Sequence, residues 1–404
     1  MVPDGWNMSS LGEVMDFKNG LNFKKEDAGE AIKIVGVKDF KGFTELMDFQ
    51  SLDMIKVADK IKDDELLKSG DLLFVRSNGN KDLIGRCLYF PSVEEKLSFS
   101  GFTIRGRVSS EMAITEYVAA FARSQVMRQQ IAKSGGGTNI SNLSQSILNK
   151  VQFPKPPINE QKEIAKILST WDEAIATTEQ LLANSEQQKK ALMQQLLTGK
   201  KRLPGFQGEW EEVALGRLFS ERKETGIAGL SLLSVTSGQG VIKRDDVGRK
   251  DTSSADKSRY LRVCPGDIAY NTMRMWQGVS ALSGLEGIVS PAYTVLKPES
   301  TVDSRFAAHL FKLPRMVHRF YRHSQGLVSD TWNLKYKQFA RIKVLVPGVK
   351  EQMAIADVLC KEDETISCLE EQLGLLAGEK KALMQQLLTG KRRVKVDEAE
   401  RATA

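Results

Sequence analysis

The sequence predicts a duplicated chain of mixed α/β (α+β) domains joined by two long antiparallel helices that form a coiled-coil spacer. Three observations predict this fold class: one segment occurs twice, each copy carries an apolar register typical of a helix, and the remainder contains short strand-like runs. The 404 residues also exceed one ordinary core, because a domain takes roughly 100–200 residues. We therefore expect two domains of similar fold and a shared helical connection.

An internal repeat divides the chain into two halves. Residues 189–200 (KKALMQQLLTGK) recur identically as residues 380–391, an offset of 191. Further pairs match at offsets of 191 to 204: Glu160-Gln161 with Glu351-Gln352, Ile164-Ala165 with Ile355-Ala356, Asn142-Leu143 with Asn333-Leu334, Gly70-Asp71 with Gly266-Asp267, and Trp6 with Trp210. Each half therefore opens with a divergent region of roughly 150 residues and closes with a closely matched segment of about 40 residues.

Each matched segment is predicted to be a helix of roughly 60 Å. Its apolar residues follow one alternating three- and four-residue spacing, which is typical of a helix with a single apolar stripe. These coiled-coil residues are Ile164, Leu168, Trp171, Ile175, Leu182, Leu192 and Leu196 in the first copy, and Ile355, Leu359, Ile366, Leu369, Leu373, Leu376, Leu383 and Leu387 in the second. Asn159 is predicted to cap the first helix, and Gly199 and Gly390 stand where left-handed caps would end the two helices.

Two such helices most simply pair with each other, and a two-fold relation between duplicated halves would run them antiparallel. Two other arrangements stay open: the apolar stripe contacts other subunits, or the helices form a hairpin inside one compact body. The predicted segments are domain 1 (1–157), the central helix (158–203), domain 2 (204–348), the distal helix (349–391) and a charged tail (392–404).

The two divergent regions are predicted to mix short strands with helices. Strands are expected at Ala31–Val35, Asp71–Val75 and Leu83–Phe90 in the first region, and at Gly287–Ser290 and Tyr293–Leu296 in the second. Helices are expected near 112–133 and 303–322.

Composition indicates a globular protein of the cytoplasm. With 41% hydrophobic and 27% charged residues the chain is close to globular averages. No run approaches the roughly 20 apolar residues of a membrane span, and the first residues do not have the pattern of a signal peptide. The four cysteines show no metal-ligand spacing, so we expect thiols and no metal site.

The positive charge is concentrated in one region. Residues 211–350 carry 22 Lys+Arg against 13 Asp+Glu, whereas residues 1–157 carry 21 against 20. The basic region includes Lys243, Arg244, Arg249, Lys250, Lys257, Arg259, Arg262, Arg315, His318, Arg319, Arg322 and His323. These cations suit a nucleic-acid backbone, and an ordinary solvated surface is the alternative.

The sequence lacks the motifs that catalysis would need. It has no phosphate-binding loop ending in Gly-Lys-Ser/Thr, no glycine-rich turn typical of methyltransferases, and no recognisable nuclease or glycosidase spacing of carboxylates. All three histidines lie in the second half, so they cannot supply a shared active site. A non-catalytic binding protein is therefore the favoured interpretation.

Certain polar segments have the residue types that contact DNA, because Arg pairs with guanine, Asn and Gln pair with adenine, and Lys pairs with phosphate. In the first half these DNA-binding candidates are Arg76, Ser77, Asn78, Asn80 and Lys81 after a strand, then Lys133, Thr138, Asn139 and Asn142 before the helix. In the second half they are Asn271, Thr272, Arg274, Trp276 and Gln277, then Arg319, Arg322, Trp332 and Asn333. Ordinary turn chemistry is the alternative for each segment.

With these motifs in place, the chain resembles the specificity (S) subunits of type I restriction-modification systems over essentially its whole length. The resemblance rests on the order and duplication of 70–74, 266–274, 290–293, the Asn-Leu pairs, the Glu-Gln pairs and the twin Leu-Thr-Gly-Lys helix ends.

The resemblance implies two target-recognition domains that read a split sequence in double-stranded DNA. It also implies that the helices set the distance between the two domains and bind two methyltransferase (M) subunits, which restriction (R) subunits can join. A chain of this family carries no active site or cofactor, so S-adenosylmethionine, ATP and Mg would be bound by partner subunits, and no membrane is involved. Two alternatives stay open: a fused or self-contained DNA methyltransferase or nuclease, and a coiled-coil adaptor that never contacts DNA.

Overall fold

The chain forms two compact units. The computed structural model describes residues 2–23, 29–42, 44–57, 61–134, 142–227, 229–236, 238, 240–247, 256–326 and 331–395. The first unit contains residues 1–177 and 373–404, and the second contains residues 178–372. Each unit therefore includes part of each long helix, whereas the predicted segments set the helices apart from the domains.

The first unit packs small sheets against short helices. Its strands are β1 (Asn7–Ser10), β2 (Met15–Asn19), β3 (Glu30–Val35), β4 (Asp53–Val57), β5 (Asp71–Val75), β6 (Cys87–Tyr89), β7 (Leu97–Phe99), β8 (Thr103–Val108) and β9 (Gln152–Lys155). Its helices are α1 (Leu11–Val14), α2 (Thr115–Ala122), α3 (Gln125–Ser134), α4 (Gln145–Lys150) and the first part of α5 (Ile158–Leu196). The strands form sheets of order β2-β8-β5-β6, β4-β3-β7 and β1-β9.

Strand β5 lies in the interior of the first unit. All five of its residues are buried. Leu72 and Phe74 enter one apolar cluster, and Leu73 and Val75 enter another, because successive side chains of a strand point to opposite faces. The loop that follows β5 is therefore anchored to a part of the unit that cannot move without disturbing both clusters.

The second unit repeats this plan with shorter elements. Its strands are β10 (Glu211–Ala214), β11 (Phe219–Glu221), β12 (Leu233–Val235), β13 (Val241–Lys243), β14 (Leu261–Val263), β15 (Ile268–Asn271), β16 (Ser280–Leu282), β17 (Gly287–Val289), β18 (Tyr293–Pro298) and β19 (Lys343–Val346). Its helices are α6 (Leu215–Leu218), α7 (Ser304–Leu310), α8 (Pro314–His323), α9 (Tyr336–Phe339) and the first part of α10 (Val349–Leu387), together with the end of α5. The sheet β11-β18-β15-β16 has the same order as β2-β8-β5-β6, and β10 pairs with β19 as β1 pairs with β9. These elements confirm a duplicated mixed α/β fold.

Parts of α5 and α10 run in opposite directions within each unit. In the first unit Asp172 of α5 pairs with Lys380 of α10. In the second unit Lys189 of α5 pairs with Asp363 of α10, which are the repeat equivalents of the same two residues. The duplicated sequence thus places the same ion pair once in each unit.

The apolar stripe predicted for these helices faces inward. Ile164, Leu168, Leu196, Ile355, Leu359 and Leu387 are buried in the apolar cores of their units. The other stripe residues, Trp171, Ile175, Leu182, Leu192, Ile366, Leu369, Leu373, Leu376 and Leu383, are partly buried. Burial of this stripe is the main stabilisation available to helices of this length.

Several local predictions were wrong. Helix α5 already includes Asn159, so that residue does not cap it. The predicted strand Leu83–Phe90 is reduced to Cys87–Tyr89, since a 3₁₀ turn occupies Lys81–Leu83. The helices expected near 112–133 and 303–322 are each two helices, and Pro314 opens the second helix of the latter pair because its ring fits the first turn.

Glycine ends both long helices as predicted. Gly199 and Gly390 adopt φ values of +71° and +72°. The N–H of Lys201 donates to the carbonyl of Gln195 at 3.2 Å, and the N–H of Arg392 donates to the carbonyl of Gln386 at 3.2 Å. Each of these bonds spans the left-handed glycine and turns the chain back toward its own helix.

A buried carboxylate receives this returning segment in each unit. In the first unit Glu160, whose side chain is 4% exposed, accepts hydrogen bonds from Trp6 Nε1 at 2.9 Å and from Arg393 Nε and Nη2 at 2.7 and 2.8 Å. In the second unit Glu351 accepts from Arg202 Nε and Nη2 at 2.5 and 2.7 Å. The segment after α10 therefore completes the first unit as the segment after α5 completes the second.

We predict that Arg393→Ala lowers the free energy of unfolding by about 1–3 kcal/mol, because Glu160 would lose a bidentate partner in a buried position. The matched control is Arg392→Ala, which removes the same charge from an exposed neighbouring residue. Denaturant unfolding measures both variants. Equal midpoints for the two variants would contradict a structural role for the Arg393 pair.

Candidate nucleic-acid interface

A buried aspartate lies at the start of the strand before each candidate DNA-binding loop, as the first residue of β5 in one unit and just before β15 in the other. In the first unit Asp71 follows Gly70, whose φ is +86°, and its side chain is fully buried. Its carboxylate accepts from Arg107 Nε and Nη2, both at 2.7 Å, and from the N–H of Lys68 at 2.7 Å. Neutralisation by Arg107 on the neighbouring strand β8 makes this buried charge tolerable and ties β5 to β8.

The second unit uses the same device. Asp267 follows Gly266, whose φ is +90°, and accepts from Arg222 Nε and Nη2 at 2.7 and 3.0 Å and from the N–H of Cys264 at 2.8 Å. Paired with Asp267, Arg222 has a pKa raised above its ordinary value. The sequence showed the Gly-Asp repeat but not its arginine partner.

The first loop, defined as residues 76–86, follows β5 and is held by backbone hydrogen bonds. The N–H of Arg76 donates to the carbonyl of Phe102 at 2.8 Å, and the carbonyl of Arg76 accepts from the N–H of Leu143 at 2.8 Å. The Arg76 guanidinium also reaches the carbonyl of Gly101 at 3.4 Å. The structure thereby brings Arg76 and Ser77 next to Asn142, which sequence reasoning had placed in a separate segment.

Two asparagines shape the first loop from within. The side-chain oxygen of Asn78 accepts from the N–H of Asn80 at 2.8 Å, and that of Asn80 accepts from the N–H of Asp82 at 3.0 Å. These are the turn bonds typical of asparagine, and they leave the two side-chain NH₂ groups on the loop surface. Lys81 is exposed on the same loop, and Lys133 is exposed at the end of α3. Thr138 and Asn139 lie outside the described residues.

The second loop, defined as residues 272–279, repeats this backbone arrangement after β15. The N–H of Thr272 donates to the carbonyl of Ala292 at 3.0 Å, and the carbonyl of Thr272 accepts from the N–H of Leu334 at 2.8 Å. Asn271 accepts from the N–H of Met273 at 3.0 Å. The loop and the segment before the long helix therefore meet in both units, although the side chains presented differ.

Three aromatic rings hold the second loop against α8. The rings of Trp276 and Trp332 meet edge to face with centroids 5.3 Å apart, and Tyr321 of α8 meets Trp332 at 4.8 Å. Trp276 Nε1 donates to the carbonyl of Met273 at 3.0 Å. These contacts assign Trp276 and Trp332 a positioning role, whereas Arg274 and Gln277 are exposed on the same loop.

Some basic side chains of the second unit form ion pairs and hydrogen bonds within that unit. Arg262 pairs with Glu224 and Glu286 at 2.7 and 2.6 Å, and Arg315 donates to the carbonyl of Leu197 at 2.6 Å. The charge excess read from the sequence therefore overstates the cations available to a ligand, and Arg262 and Arg315 are corrected to structural roles.

The candidate cations of α8 also differ from one another. Arg319 donates to the carbonyl of Lys343 in β19, so part of its guanidinium is already engaged. Arg322 is exposed in the last turn of the same helix. Both arginines are exposed, and Arg319 differs in that part of its guanidinium is engaged within the unit.

A groove beside the second loop brings together Arg259, which the sequence placed only in the general basic region, and Lys335, which sequence reasoning missed. The groove has a volume of about 640 Å³ and is lined by Thr272 and Asn333 together with Arg259, Lys335 and other residues. Asn333 is held there by side-chain donation to the carbonyls of Gln325 and Thr331, both at 3.2 Å. Arg259 and Lys335 are separated from Thr272 by many residues in the sequence, and no regular spacing could have revealed their proximity.

The described ranges contain neither a metal-binding cluster nor a membrane-spanning helix. Among the described ranges, no three His, Cys, Asp or Glu side chains form a group that could hold a metal ion. Within the same ranges, no helix combines the length and hydropathy of a membrane span.

Comparison with known proteins agrees with this architecture. Residues 3–187 match the model of the type I restriction modification DNA specificity domain. The chain is 25% identical to the MjaVIII type I specificity subunit of Methanocaldococcus jannaschii, over 98% of this chain and 94% of that protein. It is 22% identical to the EcoKI specificity subunit of Escherichia coli, over 88% and 81%.

A solved structure shares the fold. The type I restriction-modification S subunit from M. genitalium aligns with a TM-score of 0.58 at 13% identity, over 95% of this chain and 96% of that one. The shared fold is a pair of duplicated α/β units with long helices. Over most of its length this chain is similar to type I restriction-modification specificity subunits, and residues 3–187 match their DNA specificity domain.

We predict that Asp267→Ala destabilises the second unit by about 3–5 kcal/mol, because Arg222 would keep a charge without its buried partner. Asp256→Ala is the control, since Asp256 is exposed and accepts a hydrogen bond from the N–H of the nearby Ser258. Thermal unfolding followed by circular dichroism compares them. A loss no greater for Asp267→Ala than for Asp256→Ala would refute the anchoring role of the Gly-Asp motif.

Proposed function

We infer that this chain is the DNA-sequence-recognition subunit of a type I restriction-modification complex. One observation carries the inference: two units hold a loop by the same backbone hydrogen bonds, Arg76 to Phe102 and Thr272 to Ala292, yet present different side chains. A constant frame with variable polar loops is what reading two different base sequences requires. Similarity to type I specificity subunits supports the same conclusion.

The proposal includes a split target in double-stranded DNA. Each unit reads one half of the sequence, and the base pairs between the halves are unread. The helices α5 and α10, each continuous over 39 residues, fix the length of that spacer. Half-sites are compatible only when spacing and helical phase agree, because each added base pair rotates the groove by about a tenth of a turn.

The chemistry is assigned to partner subunits. The chain assembles with two methyltransferase subunits, and restriction subunits join that complex in the cytoplasm. S-adenosylmethionine, ATP and Mg are bound by those partners, while this chain contributes no catalytic residue. The near balance of charge in residues 1–157 fits an arrangement in which partners add phosphate contacts there.

Purified components test this assignment against its alternatives. The chain alone is expected to transfer no methyl group from S-adenosylmethionine to DNA, and a complex with its methyltransferase subunits is expected to methylate one split sequence. Methyl transfer by the chain alone would identify a self-contained enzyme. Equal methylation of a target duplex and a random duplex by the complex would identify an adaptor that reads no sequence.

We predict that Arg274→Ala relaxes discrimination within the half-site read by the second unit only. Arg274 is exposed on the second loop, and a good bidentate arginine–guanine contact provides about 1–3 kcal/mol of discrimination. Arg341→Ala is the matched control, because it removes an exposed arginine of the same unit outside the loop. Genome-wide mapping of methylated bases gives the readout, and equal relaxation of both half-sites would count against the assignment.

We predict that inserting seven residues into both long helices changes the unread spacer and leaves both half-sites intact. The insertions follow Thr177 in α5 and Gln372 in α10, so that the stripe keeps its phase and both interhelical Asp–Lys pairs are retained. Seven residues add about 10 Å, close to the rise of about three base pairs.

Mapping of methylated bases again reports the outcome of the double insertion. Insertion into α5 alone is the control and should reduce stability, because it displaces one helix against the other. Altered half-sites with an unchanged spacer would refute the role of the helices in spacing.

A further inference from the structure

A tightly held turn, residues 100–103, joins β7 and β8 in the first unit. The N–H and the hydroxyl of Thr103 donate to the carbonyl of Ser100 at 2.8 and 2.7 Å, and the N–H of Ser100 donates to the carbonyl of Val35 at 3.0 Å. Gly101 donates to the carbonyl of Leu21 at 2.7 Å. A Cβ atom at Gly101 would lie 2.2 Å from Asn22 Oδ1, so the close packing of this turn favours glycine.

This turn exposes one aromatic side chain. Phe102 is 64% exposed, whereas Ser100 and Thr103 beside it are buried. Its ring makes no aromatic contact within the described part of the chain. The fixed backbone therefore directs an apolar group into solvent. The ring does not gain the free energy that burial of an aromatic side chain usually provides.

The same turn is bonded to the first loop. The carbonyl of Phe102 accepts the N–H of Arg76 at 2.8 Å and the N–H of Ser77 at 3.4 Å, and the carbonyl of Gly101 accepts from the Arg76 guanidinium. The ring of Phe102 thus projects from the peptide that holds the base of the loop. The second unit keeps this carbonyl contact but has Ala292 in place of the ring.

We propose that Phe102 is a specificity-determining residue of the first unit, whose ring makes apolar contact with a base in the half-site. This inference rests on the proposed function. The first loop offers polar groups suited to base edges, and the ring adds an apolar surface of the kind that recognises the thymine methyl group. Because its backbone is held in the free chain, only the rotamer of the ring remains to be fixed when DNA binds.

The test uses the full chain assembled with its methyltransferase subunits and duplexes carrying the mapped target. Each base pair of the half-sites is changed in turn, and one set replaces thymine by deoxyuridine, which lacks the methyl group. Phe102→Ala is expected to bind the target about tenfold more weakly, to bind a random duplex almost as well as before, and to lose discrimination at one pair of one half-site. Phe102→Leu, which retains an apolar side chain, should keep most of the discrimination.

Met54→Ala is the matched control, because Met54 is 66% exposed on β4 of the same unit and its loss removes comparable apolar surface. At the thymine that contacts the ring, deoxyuridine should weaken the wild-type complex and leave the Phe102→Ala complex unchanged. The proposal would be overturned if Phe102→Ala weakened binding to the target and to the random duplex equally, or left discrimination unchanged at every base pair. It would also be overturned if Phe102→Ala failed to assemble with the methyltransferase subunits, because the ring would then belong to a protein interface. If the wild-type complex itself shows no sequence preference, the proposed function fails instead.

Discussion

Pairing of a buried glutamate with a distant arginine is the interaction that closes each unit. Glu160 lies at the beginning of α5, and its arginine partner comes from the segment after α10. Removing a carboxylate from water is costly unless a cation and further donors replace its hydration, and Arg393 and Trp6 supply both. The first unit is consequently complete only when the end of the chain has docked on its beginning.

This closure gives the two units different folding requirements. The second unit is one continuous stretch, 178–372, and its closing arginine, Arg202, is synthesised before Glu351. The first unit needs Leu387 and Leu388 in its core and Arg393 at its surface, so its ordering waits for residues synthesised after the second unit. Loop closure over such a separation slows folding more than it reduces stability.

Sequence reasoning was most effective where the repeat and the helical register supply independent constraints. The 191-residue offset and the three- and four-residue spacing were enough to locate both helices and the inward stripe, because an amphipathic helix must bury one face. The helix ends followed from Gly199 and Gly390, which adopt the left-handed backbone that glycine tolerates best.

The candidate site was harder to predict, because its contacts join residues without a fixed spacing. Asp71 pairs with Arg107, which lies 36 positions later in the sequence, whereas Asp267 pairs with Arg222, which lies 45 positions earlier. The repeated Gly-Asp motif therefore does not reveal the arginine partner. Counting charges also misled, since Arg262 is satisfied by Glu224 and Glu286 inside the unit. The convergence of Arg76 with Leu143 depends on a backbone bond, which side-chain chemistry cannot indicate.

The division between constant backbone and variable side chains explains how one fold can acquire different readers. The loops are held by main-chain groups, such as Arg76 with Phe102 and Thr272 with Ala292, and almost any residue can supply these groups. Exposed side chains at such positions contribute little to the packed core, so replacing one costs little stability. Because backbone hydrogen bonds already hold the loop in the free chain, binding through a new side chain costs mainly the rotamer entropy of that side chain. The hydrogen-bonded backbone therefore meets the requirement for folding, while the exposed loop side chains determine which DNA sequence is read. The loops of the two units can consequently change independently of each other.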